Sequence, residues 1–176
     1  MYPLWINVVG FQAGWWACVG SAGGAFEIPS LVFALALVIA HLWWSASSAV
    51  EIQLAAVGLF MGIVVDSLLQ YVSVISFYGW ALGPLCPFWL WALWGMFSLT
   101  LNASLAFLKA MPWWVSALAG CIFGPLSYYA GVQFGAASLP ENISSLFCLA
   151  LTWMVVLPLM VFCARKLSHT TRGDTT

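Results

Sequence analysis

Residues 52–75 read IQLAAVGLFMGIVVDSLLQYVSVI, a long run with a single charged side chain, Asp66. A bilayer's hydrocarbon core takes about 20 apolar residues of helix to cross, and this stretch is long enough. Transmembrane strands would need alternating segments of about 10 residues, and this run is continuous.

Five comparable runs flank it, at about 4–24, 30–49, 87–108, 113–135 and 143–164. The breaks between them carry turn chemistry. Glu27 and Pro29 separate the first two runs, and Glu51 marks the second turn. Tyr78-Gly79-Trp80 through Pro84 and Pro87 make the longest break; Lys109 and Pro112, then Pro140-Glu141-Asn142, make the last two. The predicted fold is therefore all-α: a polytopic bundle of six transmembrane helices over residues 1–164. The tail RKLSHTTRGDTT, 165–176, is polar and expected to be a disordered cytoplasmic extension. The first run has no Lys or Arg ahead of it, and Asn7, Gly10, Gln12 and Gly14 interrupt it. It reads as a retained helix rather than a secretory signal, although Ser21 to Ala25 are small enough to mimic a cleavage site.

Composition agrees. The 176 residues are 64% hydrophobic and 5% charged, against about 25% charged in an average soluble domain. Mean hydropathy is +1.04. A net charge of −1 with no basic patch gives no footing for nucleic acid. With six spans the termini share a side. Putting both in the cytoplasm places Lys109, Arg165, Lys166 and Arg172 there and Glu27 and Glu141 outside, as the positive-inside rule asks. Tyr2, Trp5, Tyr78, Trp80, Trp89, Trp113 and Trp114 fall near predicted helix ends, as an aromatic belt would.

Small and polar residues form stripes. They are Asn7, Gly10, Gly14 and Ser21 on helix one; His41, Ser45 and Ser48 on helix two; and Gly58, Gly62, Asp66, Gln70 and Ser73 on helix three. Helix four carries Gly95, Ser98 and Asn102, and helix five Gly120, Gly124, Gly131 and Gly135. Lipid gives little hydrophobic drive between helices, so small residues serve close packing. Five inward polar faces could also line a pocket.

Asp66 is the most informative residue, because a carboxyl inside a span costs about 2.5–3.5 kcal/mol on insertion scales and normally marks a site, relay or pathway. A structural role would pair it with Asn102 or Tyr128. His41, in mid-helix two, is a candidate acid–base or proton relay, or else a core histidine bonded to a neighbour. Asp66 and His41 are the candidate catalytic residues, and their depths permit contact without requiring it. Asn102, Ser127, Tyr128, Gln12 and Glu51 are candidate substrate-binding or structural polar residues, Glu51 being read as a solvated helix-end carboxylate. Pro125, in Gly124-Pro-Leu-Ser-Tyr128, removes a backbone hydrogen bond and suggests a helix break. Asp66, Ser127 and Tyr128 fall in the outer half, His41 near the midplane and Asn102 deeper. No metal site is expected from one intramembrane His. No cofactor fingerprint, P-loop or nucleophile elbow occurs. Cys18, Cys86, Cys121, Cys148 and Cys163 lack any paired spacing, and Cys86 is expected at the outer surface. Asn142-Ile-Ser144 fits a glycosylation sequon but abuts the membrane.

Asn7, Phe11-Gln12, His41-Leu42, Glu51, Asp66-Ser67, Trp94, Thr100-Leu-Asn102-x-Ser104, Gly124-Pro-Leu-Ser-Tyr128-x-x-Gly131 and Gln133-x-Gly135-Ala136 recur in order across helices one to five. In these the chain resembles a bacterial inner-membrane family catalogued as domain of unknown function 2878. Phe123 departs from the glycine that often precedes the Gly-Pro pair. The resemblance implies a multi-pass fold and supplies no reaction. Similar proteins are often encoded near enzymes of fatty-acid cyclopropanation or other lipid modification, an association without a mechanism.

Three functions are therefore expected. The first is membrane-lipid handling or modification, with Asp66 and His41 moving protons and Asn102 and Tyr128 orienting a headgroup or carbonyl. The second is a small transporter or substrate-binding subunit, working as a homo-oligomer or with a membrane-protein partner. The third is a scaffold without chemistry.

Overall fold

The computed structural model describes residues 4–140 and 143–173, with side chains up to Ser168. Tyr2, Glu141, Asn142 with its sequon, and the Arg172 side chain lie outside the described residues. Six α-helices follow one another: α1 Leu4–Ser21, α2 Glu27–Trp44, α3 Ser48–Tyr71, α4 Phe88–Thr100, α5 Trp113–Gln133 and α6 Ile143–Gly173. A 3-10 turn, Ala106–Lys109, follows α4. Two short strands, β1 Ser76–Phe77 and β2 Ala137–Ser138, pair antiparallel, Ser76 with Ser138 and Phe77 with Ala137.

Four segments are long and apolar enough to cross a membrane: α2, α3, α5 and residues Ile143–Ser168 of α6. Helices of that kind mark a membrane protein. The other two are weaker. α1 is broken up by Asn7, Gln12 and three glycines. α4 is apolar but only 13 residues long. Bulky side chains such as Trp43, Phe60, Tyr71 and Phe123 point outward, as a lipid-facing surface requires.

α4 is central, packed against α1, α2 and α3; α3 also meets α6, and α5 packs chiefly on α6. Glycines set the two closest approaches. A Cβ at Gly58 would collide with Ser98, and one at Gly62 would fall within the Trp94 ring. On the other side Gly120 and Gly124 admit the Trp153 backbone and ring of α6. These four glycines are packing positions. The helix-five stripe goes no further, for Gly131 and Gly135 meet nothing, and Gly135 (φ 74°) lies just past α5 in the left-handed conformation that closes helices.

The chain departs from its sequence pattern in four places. The predicted helix over 87–108 stops at Thr100. Ser98 and Thr100 hydroxyls donate back to the carbonyls of Trp94 and Phe97, both at 2.6 Å, competition that bends helices. Asn102 and Ser104 then find partners on other helices. Pro125, expected to break helix five, sits inside a continuous α5. The tail expected to be disordered beyond Ala164 continues α6 to Gly173. It is anchored at its base, where Arg165 Nη2 donates to the carbonyls of Met111 (2.6 Å) and Leu108 (3.2 Å). Last, Glu27 is not a solvated spacer. It is buried at the start of α2, where its carboxylate accepts from the backbone N–H groups of Gly23 (2.8 Å) and Trp80 (2.9 Å). Gly79 (φ 130°) makes that approach possible, since a Cβ there would press on the Trp89 ring and on Glu27 itself.

Candidate functional site

Two polar clusters lie at opposite ends of α3. At the β1–β2 end, Asp66 is fully buried. Its Oδ1 accepts the Tyr128 hydroxyl from α5 at 2.5 Å, and its Oδ2 accepts Trp94 Nε1–H from α4 at 2.6 Å. A carboxyl this deep requires such partners, because lipid offers none. The stripe Gly58-Gly62-Asp66 explains the geometry. Gly62 lets Trp94 lie against α3, and Asp66, one turn on, meets its indole nitrogen.

Trp94 and Tyr128 also face a cleft. It encloses about 730 Å³ between α1 and α4 on one side and α5 and α6 on the other. The walls are mostly aromatic, and Trp94 and Trp153 stack at 5.1 Å, nearly parallel. Trp15 and Trp16 of α1 meet Phe134 edge-on, with ring centroids 6.2 and 4.9 Å apart, and bridge the cleft where α5 ends. Gln12, Ser127 and Tyr128 bring polarity to the walls. Asp66 does not line the cleft; it acts on a guest only through Tyr128 and Trp94. Because Asp66 takes the tyrosine proton, the hydroxyl presents acceptor lone pairs to the cleft.

At the other end His41, Glu51 and Asn102 come together. His41 Nε2 lies 3.8 Å from Glu51 Oε2, and its Nδ1 lies 3.4 Å from Asn7 Nδ2. Asn102 Nδ2 donates to Glu51 at 3.3 Å, and Lys109 Nζ donates to Asn102 Oδ1 at 2.7 Å. Ser104 Oγ donates to Asn7 Oδ1 at 2.6 Å, and Ser168 joins at the Asn102 oxygen. Five helical segments thus meet where α4 ends. Burial holds the Lys109 ammonium below its ordinary pKa, partly opposed by the Glu51 charge. A cavity of about 30 Å³ beside Asn7 and His41 has room for water.

The sequence leaves open whether the two candidate catalytic residues, Asp66 and His41, meet, and the structure separates them. Glu51, the partner of His41, lies 15 residues from Asp66 along α3, about 22 Å at helical rise. Glu51, expected in solvent, is buried in the network. Tyr128 is the partner of Asp66 and Asn102 is not, having joined the opposite cluster. Ser127 and Gln12 line the cleft. Sequence reasoning named Trp94 only among the residues of the family resemblance, without a role, and passed over Trp153; the structural reason for Trp94 is its position against Gly62. Cys86, expected at the outer surface, is buried, with its backbone N–H on Ser67 Oγ at 2.9 Å. All five cysteines are free thiols. Among the described residues no group of three metal-ligating side chains occurs.

No curated protein and no solved structure matches this chain. One family does, over residues 4–159, a range holding all but one of the cluster residues just described, Ser168 excepted. The chain belongs to that family, described as Protein of unknown function (DUF2878).

Proposed function

We propose that this protein is a six-span membrane protein that takes a membrane lipid sideways into its cleft for handling or modification. The observation that carries the proposal is the cleft, about 730 Å³ of aromatic wall with a few polar groups and the buried Asp66–Tyr128 pair behind it. That volume suits one chain-sized guest, since small-molecule sites run to about 300–1,000 Å³. On this reading α1 and α4 complete the six spans; in support, α4 packs on α2 and α3, and α1 packs on α2 and α4. Both termini lie in the cytoplasm of a bacterial inner membrane. In support, Lys109 and Arg165 converge on the turn after α4, away from Glu27 and Asp66.

Tyr128, fixed by Asp66, would shape the cleft wall beside the guest's polar group. His41 serves elsewhere, in the network at the end of α4. The test is a whole-membrane lipid profile of cells lacking the protein, compared with cells carrying wild type, Asp66→Asn or Tyr128→Phe at matched expression. A lipid class that changes in the null and in both variants supports the reading. An unchanged profile in the null overturns it.

Transport of a small substrate is the second reading. The observation favouring it is the α4 break amid Glu51, His41 and Lys109, where irregular backbone is tolerated because protein surrounds it. Uptake into proteoliposomes that is abolished by Glu51→Gln would favour it.

A further inference from the structure

Three hydrogen-bonding groups on the cleft are unused. Trp153 Nε1 is buried and has no hydrogen-bond partner among the described residues. The Tyr128 hydroxyl oxygen is its nearest acceptor, and the contact between them falls outside hydrogen-bond geometry. The Ser127 and Gln12 side chains are exposed on the cleft walls and likewise make no hydrogen bond among the described residues. A buried indole N–H without an acceptor is costly, because it has given up its bond to water and gained none. Water compensates such groups in a soluble protein, whereas hydrocarbon cannot.

What these groups have in common is donors. The indole has only a donor, the hydroxyl can donate, and the amide carries two N–H. They suit an oxygen acceptor on an apolar molecule. The second constraint is charge. No Lys, Arg, His, Asp or Glu lines the cleft among the described residues. An ionised carboxylate or phosphate would sit there unpaired, at a cost of many kcal/mol. The acceptor must therefore be neutral. The walls around it are mostly aromatic and aliphatic and carry no charged side chain to receive an ionic headgroup.

Resting on the reading of the cleft as a lipid site, we propose that its occupant is one acyl chain of a membrane lipid with its ester carbonyl drawn in, and that Trp153 Nε1–H donates to that carbonyl. Ser127, on α5 beside Tyr128, and Gln12, on the opposite wall, are the accessory donors. The charged headgroup stays outside the cleft, in the interfacial layer.

Photo-crosslinking in detergent micelles tests this with three probes of equal chain length, each carrying a diazirine at the same chain position: a fatty-acid methyl ester, the free acid at pH 8 and the hydrocarbon. Adducts on α5 and α6 peptides are mapped by mass spectrometry, and saturation is checked with unlabelled competitor. The ester should label the cleft saturably, with the hydrocarbon about fivefold to tenfold weaker, the worth of one neutral hydrogen bond. Trp153→Phe should bring the ester down to the hydrocarbon's level and leave the hydrocarbon unchanged. Gln12→Leu, on a wall away from the α5–α6 contact, should give a smaller drop, and it serves if Trp153→Phe elutes as aggregate. Equal labelling by ester and hydrocarbon, or ester labelling unmoved by either substitution, overturns the carbonyl assignment and leaves the cleft reading standing. Free acid labelling as well as ester overturns the requirement for neutrality. If no probe labels the cleft saturably in monodisperse wild type, the cleft reading itself falls.

Discussion

Replacing Gly62 with alanine adds one methyl group to a helix interior, and in most helices that stabilises. Here the new Cβ would fall within the Trp94 ring. Three effects compete. Alanine's better helix propensity contributes about 1 kcal/mol in favour. Overpacking a tight contact costs about 1–3 kcal/mol. If the indole is pushed aside, its 2.6 Å bond to the Asp66 carboxylate is lost, and hydrogen bonds to charged groups are worth about 1.5–3 kcal/mol. The net is a destabilisation of about 1.5–5 kcal/mol by the sum of these ranges. Gly95→Ala is the internal control. It is the same chemical change on α4, but a Cβ there meets nothing, so only the propensity gain of at most about 1 kcal/mol remains. Reversible unfolding in mixed micelles titrated with SDS, followed by far-UV circular dichroism, gives both numbers. Adding Trp94→Ala should remove most of the Gly62→Ala penalty, because the colliding ring is gone. If the two glycine variants shift stability in the same direction and by similar amounts, then α3 does not approach α4 as described, and the Trp94–Asp66 contact falls with it.

Tyr128→Phe leaves Asp66 with one donor instead of two and should destabilise by about 1.5–3 kcal/mol in the same unfolding assay; no change would mean the hydroxyl is not bound to Asp66. Glu51→Leu takes the buried carboxylate away from His41 and the acceptor away from Asn102 and should cost about 3–5 kcal/mol, whereas Glu51→Gln keeps an acceptor for Asn102 and should cost clearly less; equal effects would argue against the network. Burial, with the Asp66 charge adding to it, pushes the Cys86 thiol up to about 11 from its ordinary 9.0. The folded state therefore holds that proton more tightly than the unfolded one, and the stability this gives is present below pH 9 and lost as pH rises towards 11. Maleimide at neutral pH should leave Cys86 unlabelled until the protein unfolds, and rapid native labelling would contradict its burial. Pro125→Ala restores a backbone donor to a helix that is already continuous and should leave stability unchanged or raise it by up to about 3 kcal/mol, read in the same titration.

Which parts of this were legible in the sequence follows from the range of the interactions. Helix number and order depend on long apolar runs and were readable. So was the Asp66–Tyr128 option, because a carboxyl within a span must find a donor on a neighbour. The end of α4 was not. Leu101 to Leu108 looks like more of the same helix, and only the distant partners Glu51 and Asn7 make it better for Asn102 and Ser104 to leave it. Pro125 misled in the opposite direction, because α5 runs on past its missing N–H. Glu51 looked like a helix-end carboxylate, and the residues that bury it come from α2 and from beyond α4. Trp153 is one of twelve tryptophans. Its orphaned nitrogen exists only in three dimensions.

The shortness of α4 also bears on how the protein is made. Thirteen residues rise about 20 Å, while the hydrocarbon layer is about 30 Å thick. A segment that short, emerging by itself, gives the insertion machinery a weak reason to release it sideways into lipid. What holds it is company: Trp94 on Asp66, Ser98 against Gly58 and Ser104 on Asn7. Those partners belong to α1 and α3, which are synthesised earlier. The central helix is thus the one most dependent on its predecessors being already in place. A mutation at Asn7 or Gly62 would first be felt during biogenesis, as a chain whose central helix is not seated, before it could be measured as a loss of stability.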